Sequence, residues 1–403
     1  MNIVVAQSGG PTSVINASLL GVYRQAMEWT GVQTVYGSLN GIEGILNDNL
    51  VVLNDYLRTE EDMALLRQTP SAALRSCRHK LPAYGEAPQV YDAIRETLER
   101  YDIGAFFYIG GNDSMDTVHK LSEYFVKVNC PIRVMGVPKT IDNDLMITDH
   151  TPGYGSAAKF VATVMAEIIR DCTVYDLDSV TIVEIMGRDT GWLTAAAALP
   201  RLNGDTAPHL VYLPEVPFSA DAFVEDVRRI QREESRTVIV AVSEGVELDT
   251  LGDYRSGKVD NFGHKYLSGI GKCLEDLVRD RIGCKVRSVE LNLPQRCAAH
   301  ISSLTDVEEA EGVGAAAVRA AMEGATGGMA IFRRVSDTPY RVEFDHIPVS
   351  LAANQVKYVP REWINERGNN VTEAALAYIR PLVQGELPPV TVNGLPKHFR
   401  LDK

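Results

Sequence analysis

The feature that most constrains this chain is the alternation of short apolar runs with amphipathic helical stretches along its length. Runs such as IVVA (3–6) and VIVAV (238–242) are apolar at every position, which is typical of strands buried on both faces. Such strands, alternating with helices, predict mostly parallel sheets covered by helices on both sides. We therefore expect an α/β fold, and 403 residues suggest two or three domains. The last strand of the series is expected in KVRSVELNL (285–293).

Polar, glycine-bearing loops follow the predicted strands at their carboxyl ends. They are SGGPTS (8–13), GGNDS (110–114), PKTIDND (138–144), MGRDTG (186–191), SEG (243–245) and LPQRC (293–297). Ligands of open α/β sheets bind at this edge. The sequence therefore predicts one binding region built from several loops.

Charge and composition exclude several classes of protein. The formal net charge is −13, so the basic face of a nucleic-acid-binding protein is not expected, and an anionic ligand would need local Arg and Lys. No run of eighteen apolar residues and no signal sequence are visible, so no membrane association is expected. The six cysteines lack a CxxC pair, as is common in reduced proteins, and we expect a cytoplasmic location.

Two of the glycine-bearing loops could receive phosphate. Backbone N–H groups of Ser8, Gly9 and Gly10 could bind an anion at the start of a helix, although a plain tight turn explains this loop equally well. The second loop, with Gly111, Asn112, Asp113 and Ser114, also lies between a strand and a helix. Its aspartate is unexpected, because a carboxylate repels phosphate.

The PKTIDND loop is the most specific of these motifs. Lys139 supplies a point charge suited to phosphate. Asp142 and Asp144 lie two residues apart, so in an extended loop they face the same side. One carboxylate could act as a general base while the other holds a metal. The alternative is a turn loop whose acidic side chains are solvated.

Further charged residues are expected near the same edge. Arg188, in MGRDTG, could clamp a phosphate or carboxylate, or form a structural ion pair. Arg287 and Arg296 add cations at the last predicted strand. Glu244 could accept hydrogen bonds from sugar hydroxyls. Arg78 belongs to a basic run that either is solvated or reaches a phosphate.

The order SGG, GGxxS, PKTIDND, MGR, SEG and QR resembles that of the phosphofructokinases, over residues 8 to 300. The resemblance implies two Rossmann-like three-layer domains with mostly parallel sheets and an active site in the cleft between them. It also implies phosphorylation of fructose 6-phosphate at its 1-hydroxyl. A donor domain is expected at 1–150 with a return segment at about 300–350, and a sugar-phosphate domain at 151–299 joined by part of 351–403.

Asp113 and Lys139 resemble the pyrophosphate-dependent branch of that family. ATP-dependent members have glycines at both positions, which leave room for the α-phosphate of the nucleotide. Two unit charges about 4 Å apart repel by roughly 4 kcal/mol at an effective dielectric near 20, so Asp113 is expected to exclude ATP. The stretch DNFGHKYL, with Phe262 and His264, is also similar to a segment of this branch.

The resemblance implies a role for each matching residue. Asp142 takes the proton of the attacking hydroxyl, Arg188 and Arg78 stabilise the transferring charge, and Lys139 binds pyrophosphate. Donor-binding residues are then Ser8, Gly9, Gly10, Arg78, Gly111 and Ser114, and the sugar is held by Thr140, Ile141, Met186, Gly187 and Glu244. Arg296 and Arg287 bind the 6-phosphate, the latter from a neighbouring subunit, which implies a homodimer or homotetramer. Mg²⁺ bridges the donor oxygens, with Asn112 and Asp144 as its expected protein ligands.

Departures from the family pattern keep two alternatives open. Asn112 stands where the family has an aspartate, Leu293 precedes the QR pair where an aromatic residue or His is usual, and Ser179 replaces an arginine. An ATP-dependent 6-phosphofructokinase is one alternative, and Asp113 opposes it. The other is a non-catalytic sugar-phosphate-binding protein, which the intact PKTIDND and MGRDTG loops oppose.

Overall fold

The computed structural model describes residues 1–248, 267 and 269–401. The whole polar stretch 249–262, which the sequence suggests as an insertion and which includes Phe262, lies outside the described part of the chain, as does His264. None of the helices in the described part has the length and apolarity that a membrane crossing requires.

The first sheet combines strands from both ends of the chain. Its order is β11-β10-β5-β4-β1-β2-β3, and only the outer pairs β10–β11 and β2–β3 are antiparallel. The strands are β1 (Asn2–Gln7), β2 (Val35–Ser38), β3 (Leu50–Val52), β4 (Ile103–Gly110), β5 (Arg133–Pro138), β10 (Gly328–Asp337) and β11 (Tyr340–Pro348). The helices associated with this sheet are α1 (Ile15–Met27), α2 (Ile42–Leu46), α3 (Glu60–Gln68), α4 (Pro88–Arg100), α5 (Asn112–Lys127) and α10 (Leu304–Met322).

The second sheet is parallel throughout and comes from the middle of the chain. Its order is β7-β8-β6-β9, with strands β6 (Ser179–Ile185), β7 (Leu210–Tyr212), β8 (Thr237–Ser243) and β9 (Lys285–Glu290). Its helices are α6 (Tyr154–Cys172), α7 (Trp192–Ala196), α8 (Ala220–Glu233), α9 (Ile270–Arg281) and α11 (Glu373–Ile379). A short hairpin, β12 (Thr391–Val392) and β13 (Leu395–Pro396), follows near the C-terminus.

The apolar strands are buried as their sequences predict. Residues 3–6 of β1 and 238–242 of β8 are fully buried, between hydrophobic clusters that lie on opposite faces of each sheet. Burial on both faces favours strands without polar alternation, and helices supply the cover. The predicted α/β class with mostly parallel sheets is confirmed.

One element of the prediction is wrong: the strand in KVRSVELNL is not the last. The chain returns to the first sheet, where β10 pairs with β5 in parallel and β11 pairs with β10 in antiparallel orientation. The outer half of β10 and most of β11 alternate between exposed and partly buried residues, many of them charged. A search for wholly apolar runs misses strands at an edge where one face meets solvent.

Candidate active site

A cleft of about 1250 Å³ lies where the carboxyl ends of the two sheets face each other. The loops after β1, β4 and β5 line one side, and the loops after β6, β8 and β9 line the other. The cleft therefore lies at the strand ends where the sequence places its polar loops.

The structure brings all the predicted site residues to this cleft except one. Those that line it are Ser8, Gly9, Gly10, Arg78, Gly111, Asn112, Asp113, Ser114, Lys139, Thr140, Ile141, Asp142, Asp144, Met186, Gly187, Arg188, Glu244 and Arg296. The exception is Arg287. It lies on β9, an edge strand of the second sheet, where its side chain is 52% exposed and its Nη1 is 3.9 Å from Asp171 Oδ2.

Lys139 links the loop after β5 to the loop after β1. Its buried Nζ donates a hydrogen bond to the carbonyl oxygen of Gly10 at 2.6 Å. A Cβ added to Gly9, whose φ of +75° already favours glycine, would lie 3.4 Å from the same Nζ. Burial lowers the pKa of Lys139 to about 8, against the opposing effect of Asp142. The ammonium is thus held at the centre of the cleft, close to the bare backbone of the first loop.

The two acidic side chains of the PKTIDND loop are less exposed to solvent than ordinary surface carboxylates. The Asp142 side chain is 16% exposed, its backbone N–H donates to Thr140 Oγ1, and its carbonyl accepts from Thr190 Oγ1. Burial raises the pKa of Asp142, although Arg188 opposes the shift. Burial and the charge of Asp142 raise the pKa of Asp144 to about 6. A carboxylate of raised pKa is a better proton acceptor, as a general base requires.

Arg188 lies at the turn between β6 and α7 in a left-handed conformation, with φ +53°. Glu244, at the end of β8, stabilises this turn, because its Oε1 accepts the backbone N–H groups of Gly187 at 3.1 Å and Arg188 at 2.9 Å. We expected Glu244 to accept hydrogen bonds from sugar hydroxyls; the structure adds a role in holding the MGR turn. Strained backbone of this kind is typical of functional sites.

The loop after β4 places a helix N-terminus in the cleft. Helix α5 begins at Asn112, and Asp113 lies in its first turn. Exposed N–H groups at a helix N-terminus attract anions, whereas the Asp113 carboxylate adds a negative charge beside them. The Oδ1 of Asn112 is buried and has no hydrogen-bond partner among the described residues. This position can therefore accept a small anion and offers one uncommitted oxygen ligand.

Arg296 reaches across the cleft from the second sheet. It ends a short 3₁₀ helix, Leu293–Arg296, and a Cβ added to Gly10 would lie 3.4 Å from its Nη1. The preceding Gln295 accepts the backbone N–H of Met186 at 2.9 Å. The QR pair therefore contacts the loops after both β1 and β6.

The cleft also contains residues that the sequence did not single out as site residues. They include Lys80, Glu184, Asp189, Thr190, Glu247, Glu290, Asn292, Asn354 and Val356. Glu184 precedes the MGR loop on β6, and its carboxylate accepts the N–H groups of Gly269 and Gly271 at the start of α9. Its strand-end position could have identified it. Asn354 and Val356 lie in an irregular C-terminal segment that no motif marks.

Comparison with known proteins is consistent with this architecture. A family model described as Phosphofructokinase matches residues 2–321. The pyrophosphate–fructose 6-phosphate 1-phosphotransferase of Halomonas elongata is 39% identical over 408 residues, covering 100% of this chain and 96% of the relative. The relative of the same name from Methylococcus capsulatus is 39% identical over 404 residues, with 99% and 96% coverage.

The crystal structure of a pyrophosphate-dependent phosphofructokinase from Marinobacter aquaeolei superposes with a TM-score of 0.87 at 35% identity. The match covers 100% of this chain and 96% of that one. With the family model and full-length relatives in agreement, the chain belongs to the phosphofructokinase family.

Proposed function

We propose that this protein reversibly transfers a phosphoryl group from pyrophosphate to the 1-hydroxyl of fructose 6-phosphate, giving fructose 1,6-bisphosphate and phosphate. The observation that carries this function is the presence of Asp113 and Lys139 together on one side of a phosphofructokinase cleft. The names of the full-length relatives support the same donor and acceptor.

Asp113 and Lys139 act on the donor in opposite ways. A nucleotide α-phosphate placed near Asp113 would be repelled by roughly 4 kcal/mol at about 4 Å, before screening by solvent. Pyrophosphate has no phosphoryl group at the position of that α-phosphate, so it avoids the repulsion. Its terminal charge is compensated by Lys139, whose Nζ already lies beside the Gly9 and Gly10 backbone.

Asp142 is the proposed general base of the transfer. It removes the proton of the 1-hydroxyl as the hydroxyl oxygen attacks the near phosphorus of pyrophosphate, and the bridging P–O bond breaks to release phosphate. Arg188, with Arg78 and Lys139, stabilises the charge on the transferring group. In the reverse direction the protonated Asp142 returns its proton to the sugar oxygen.

The 6-phosphate is proposed to be bound by Arg296 from the same chain and Arg287 from a second copy. This assignment is supported by the position of Arg287, which lies on the outer edge strand of the second sheet and outside its own cleft. In a two-fold dimer each chain would complete the site of the other. A homodimer, or a homotetramer built from such dimers, is therefore the proposed assembly.

Mg²⁺ is the proposed metal, and the residues present fit it. In the described part of the chain, no group of three or more His, Cys, Asp or Glu side chains is arranged to hold a metal. Mg²⁺ suits such a site, because it takes one or two protein oxygens and completes its shell with water and substrate phosphates. Asp144 and the unpaired Oδ1 of Asn112 would hold it. When bound, the metal neutralises charge on the donor oxygens.

The two domains are proposed to bind different substrates. Residues 1–150 with about 300–350 are proposed to hold the donor, and 151–299 with part of 351–403 to hold the sugar phosphate. The strands of the first sheet lie within residues 2–138 and 328–348, and those of the second sheet lie within 179–290. This distribution supports the proposed division. A cytoplasmic location is proposed because the six cysteines are scattered without a CxxC pair, as is common in reduced proteins.

The deciding experiment measures fructose 1,6-bisphosphate formation from fructose 6-phosphate and Mg²⁺, with pyrophosphate or ATP as the sole donor. Turnover with pyrophosphate and none with ATP is the expected result. Turnover with ATP alone would overturn the role of Asp113 and favour an ATP-dependent kinase. Calorimetric binding of fructose 6-phosphate with no turnover from either donor would instead indicate a sugar-phosphate-binding protein.

A further inference from the structure

We infer that Lys357 is a positioning residue that fixes the loop bearing Asp142 against the loop bearing Arg188. The inference rests on the proposed function, because it assigns catalytic work to those two loops. Lys357 belongs to the irregular segment 352–360, which lies beyond residues 2–321 matched by the family model. We call this segment the C-terminal brace.

The brace holds the PKTIDND loop through both backbone and side chain. The backbone N–H of Lys357 donates to the carbonyl oxygen of Asp144 at 2.8 Å. Its Nζ donates to Asn143 Oδ1 at 3.2 Å and to the carbonyl oxygens of Thr148 at 3.2 Å and Asp149 at 2.8 Å. An ammonium has three N–H donors, and each meets an acceptor on this one loop.

The same brace holds the end of the loop that follows β6 and the first residue of α7. The indole Nε1 of Trp192, four residues after Arg188, donates to the carbonyl oxygen of Lys357 at 2.8 Å. The Nζ of Lys357 also lies 5.3 Å from the centre of the Trp192 ring, a cation–π distance. Two residues later, the backbone N–H of Val359 shares Glu215 Oε1 with the N–H of Gly191, at 3.0 and 2.9 Å.

These contacts stabilise an unusual backbone conformation in the loop that contains PKTIDND. Asn143 and Ile147 both have positive φ angles, +55° and +68°, although neither is glycine. Such conformations each cost of order 1–3 kcal/mol and persist only where surrounding contacts determine them. Lys357 provides those contacts on both sides of the strained residues. Tyr378 adds to them, because its OH donates to Asp149 and accepts from Asn143.

The chemical consequence concerns the spacing between Asp142 and Arg188. The two residues lie in loops that follow strands of different sheets. Asp142 Oδ2 and Arg188 Nε are 4.0 Å apart. Thr190 Oγ1 joins the two sides directly through its bond to the carbonyl oxygen of Asp142 at 3.1 Å, and Lys357 adds a second connection, because it bonds both to the PKTIDND loop and to Trp192. A displacement of about 1 Å in a catalytic group can lower a rate constant by about a hundredfold. Loss of Lys357 should therefore lower kcat more than it weakens substrate binding.

The test replaces Lys357 by Met, which keeps much of the aliphatic stem and removes the three donors. We expect Lys357→Met to lower kcat by about tenfold to a hundredfold with KM changed less than about threefold. In an Asp142→Asn background the same substitution should change the residual kcat by less than about twofold, because it acts through Asp142. Lys397→Met, at an exposed position beside β13, is the matched control and should behave as wild type.

A second readout does not depend on turnover. Hydrogen exchange of the ligand-free full-length protein should become faster in Lys357→Met at 140–149, where three hydrogen bonds are lost, and by a smaller amount at 187–192, where only the cation–π contact with Trp192 is lost, with no change in β1. Equal kcat losses in the two backgrounds, or faster exchange throughout the protein, would overturn the inference in favour of a general loss of stability. Unchanged kcat and unchanged exchange would also overturn it.

Two arrangements keep the test decisive. If Lys357→Met does not fold, Lys357→Arg takes its place. It keeps the charge but cannot direct three donors to the same three acceptors. The same changes in kcat and in hydrogen exchange are therefore expected, with smaller magnitude. If the wild-type protein shows no turnover with pyrophosphate, the proposed function fails, while the exchange measurement still decides whether Lys357 holds both loops.

Discussion

Arg188 Nε lies 4.0 Å from Asp142 Oδ2, although the two residues follow strands of different sheets. A carboxylate that follows a strand of one sheet therefore faces a guanidinium group that follows a strand of the other. A hydroxyl that gives its proton to Asp142 and a phosphoryl group that approaches Arg188 would meet in this space. In the proposed mechanism, catalysis would depend on how the two sheets are placed relative to each other.

Replacing Asp142 should remove the general base and leave the binding groups in place. We expect Asp142→Ser to lower kcat at least about a hundredfold, with little change in the affinity for either substrate. Initial-rate kinetics with pyrophosphate and fructose 6-phosphate measure both quantities. Asp176→Asn, at a side chain 88% exposed, is the control. A near-normal kcat in Asp142→Ser would exclude this residue as the base.

Removing the two donor-selecting side chains should change the donor. The double variant Asp113→Gly/Lys139→Gly is expected to gain turnover with ATP and to lose most of its turnover with pyrophosphate. The physical reason is that the first change removes a repulsion from the α-phosphate and the second removes a charge that compensates pyrophosphate. The ratio of kcat/KM for the two donors is the measurement. An unchanged ratio would place donor selection elsewhere in the cleft.

Arg287 should act on the cleft of a neighbouring subunit. Arg287→Ala is expected to raise KM for fructose 6-phosphate so far that little activity remains at a substrate concentration equal to the wild-type KM, and Asp142→Asn to leave only a small residual kcat. After these two variants are unfolded and refolded together, mixed dimers should contain one intact site. With random pairing, about a quarter of the wild-type activity measured at that same substrate concentration should return. No recovery from dimers shown to have mixed would place Arg287 outside the partner's site.

Asn112 should limit how strongly the metal is held. Its Oδ1 is buried without a partner among the described residues, and an amide oxygen is a weaker ligand for Mg²⁺ than a carboxylate. We expect Asn112→Asp to lower the Mg²⁺ concentration that gives half-maximal activity by about threefold to tenfold. Asn393→Asp, in the exposed turn between β12 and β13, is the control. An unchanged Mg²⁺ requirement would remove Asn112 from the metal site.

A buried histidine should make stability depend on pH. His150 Nδ1 lies 2.8 Å from Asp149 Oδ2, and its Nε2 lies 2.6 Å from Glu309 Oε2. Burial alone would lower the pKa of His150, but these carboxylates outweigh it and raise the pKa to about 9. The folded-state pKa thus exceeds the unfolded value near 6.5. The stabilisation is complete below pH 6.5 and is lost as pH rises through 9, with at most ~3 kcal/mol involved.

Urea unfolding of wild type and His150→Gln between pH 6 and 9.5 measures this effect. The difference in unfolding free energy between the two proteins should shrink as pH rises. The difference between the two proteins is the proper measure, because the buried Lys139 and the partly buried Lys357 have pKa values lowered to about 8, and their unfavourable contribution to stability is lost as pH rises. His346→Gln, at a side chain 44% exposed, is the control. A difference that stays constant with pH would contradict the charged state of His150.

The sequence predicts the fold wherever local pattern and tertiary burial agree. β1 and β8 are apolar because they are buried on both faces, so their sequences alone identify them. β10 and β11 were missed because charged residues such as Arg333 and Glu343 alternate along an edge that meets solvent. The sequence pattern at Thr190–Leu199 predicts one continuous helix, but in the structure α7 ends at Ala196 and a 3₁₀ helix, Leu199–Asn203, follows.

For the candidate site as well, the sequence predicts some residues, whereas others are brought in only by tertiary packing. Loops at strand ends are found from sequence because parallel strands bring their carboxyl ends to one edge, which explains why the predicted loops meet in one cleft. Asn354 and Lys357 could not be found in this way. Both lie in a segment without periodicity. Asn354 lines the cleft and Lys357 bonds to the PKTIDND loop, more than two hundred residues earlier in the chain, and only tertiary packing brings them there.

The late return of β10 to the first sheet has a consequence for synthesis of the protein on the ribosome. β5 is complete at residue 138, but the strand that covers its outer edge begins only at residue 328. Throughout that interval the nascent chain carries an unpaired parallel strand edge, a surface on which chains aggregate. The strands of the second sheet all lie within residues 179–290, so they are synthesised before β10. We therefore expect truncations before residue 348 to be recovered mainly as insoluble protein.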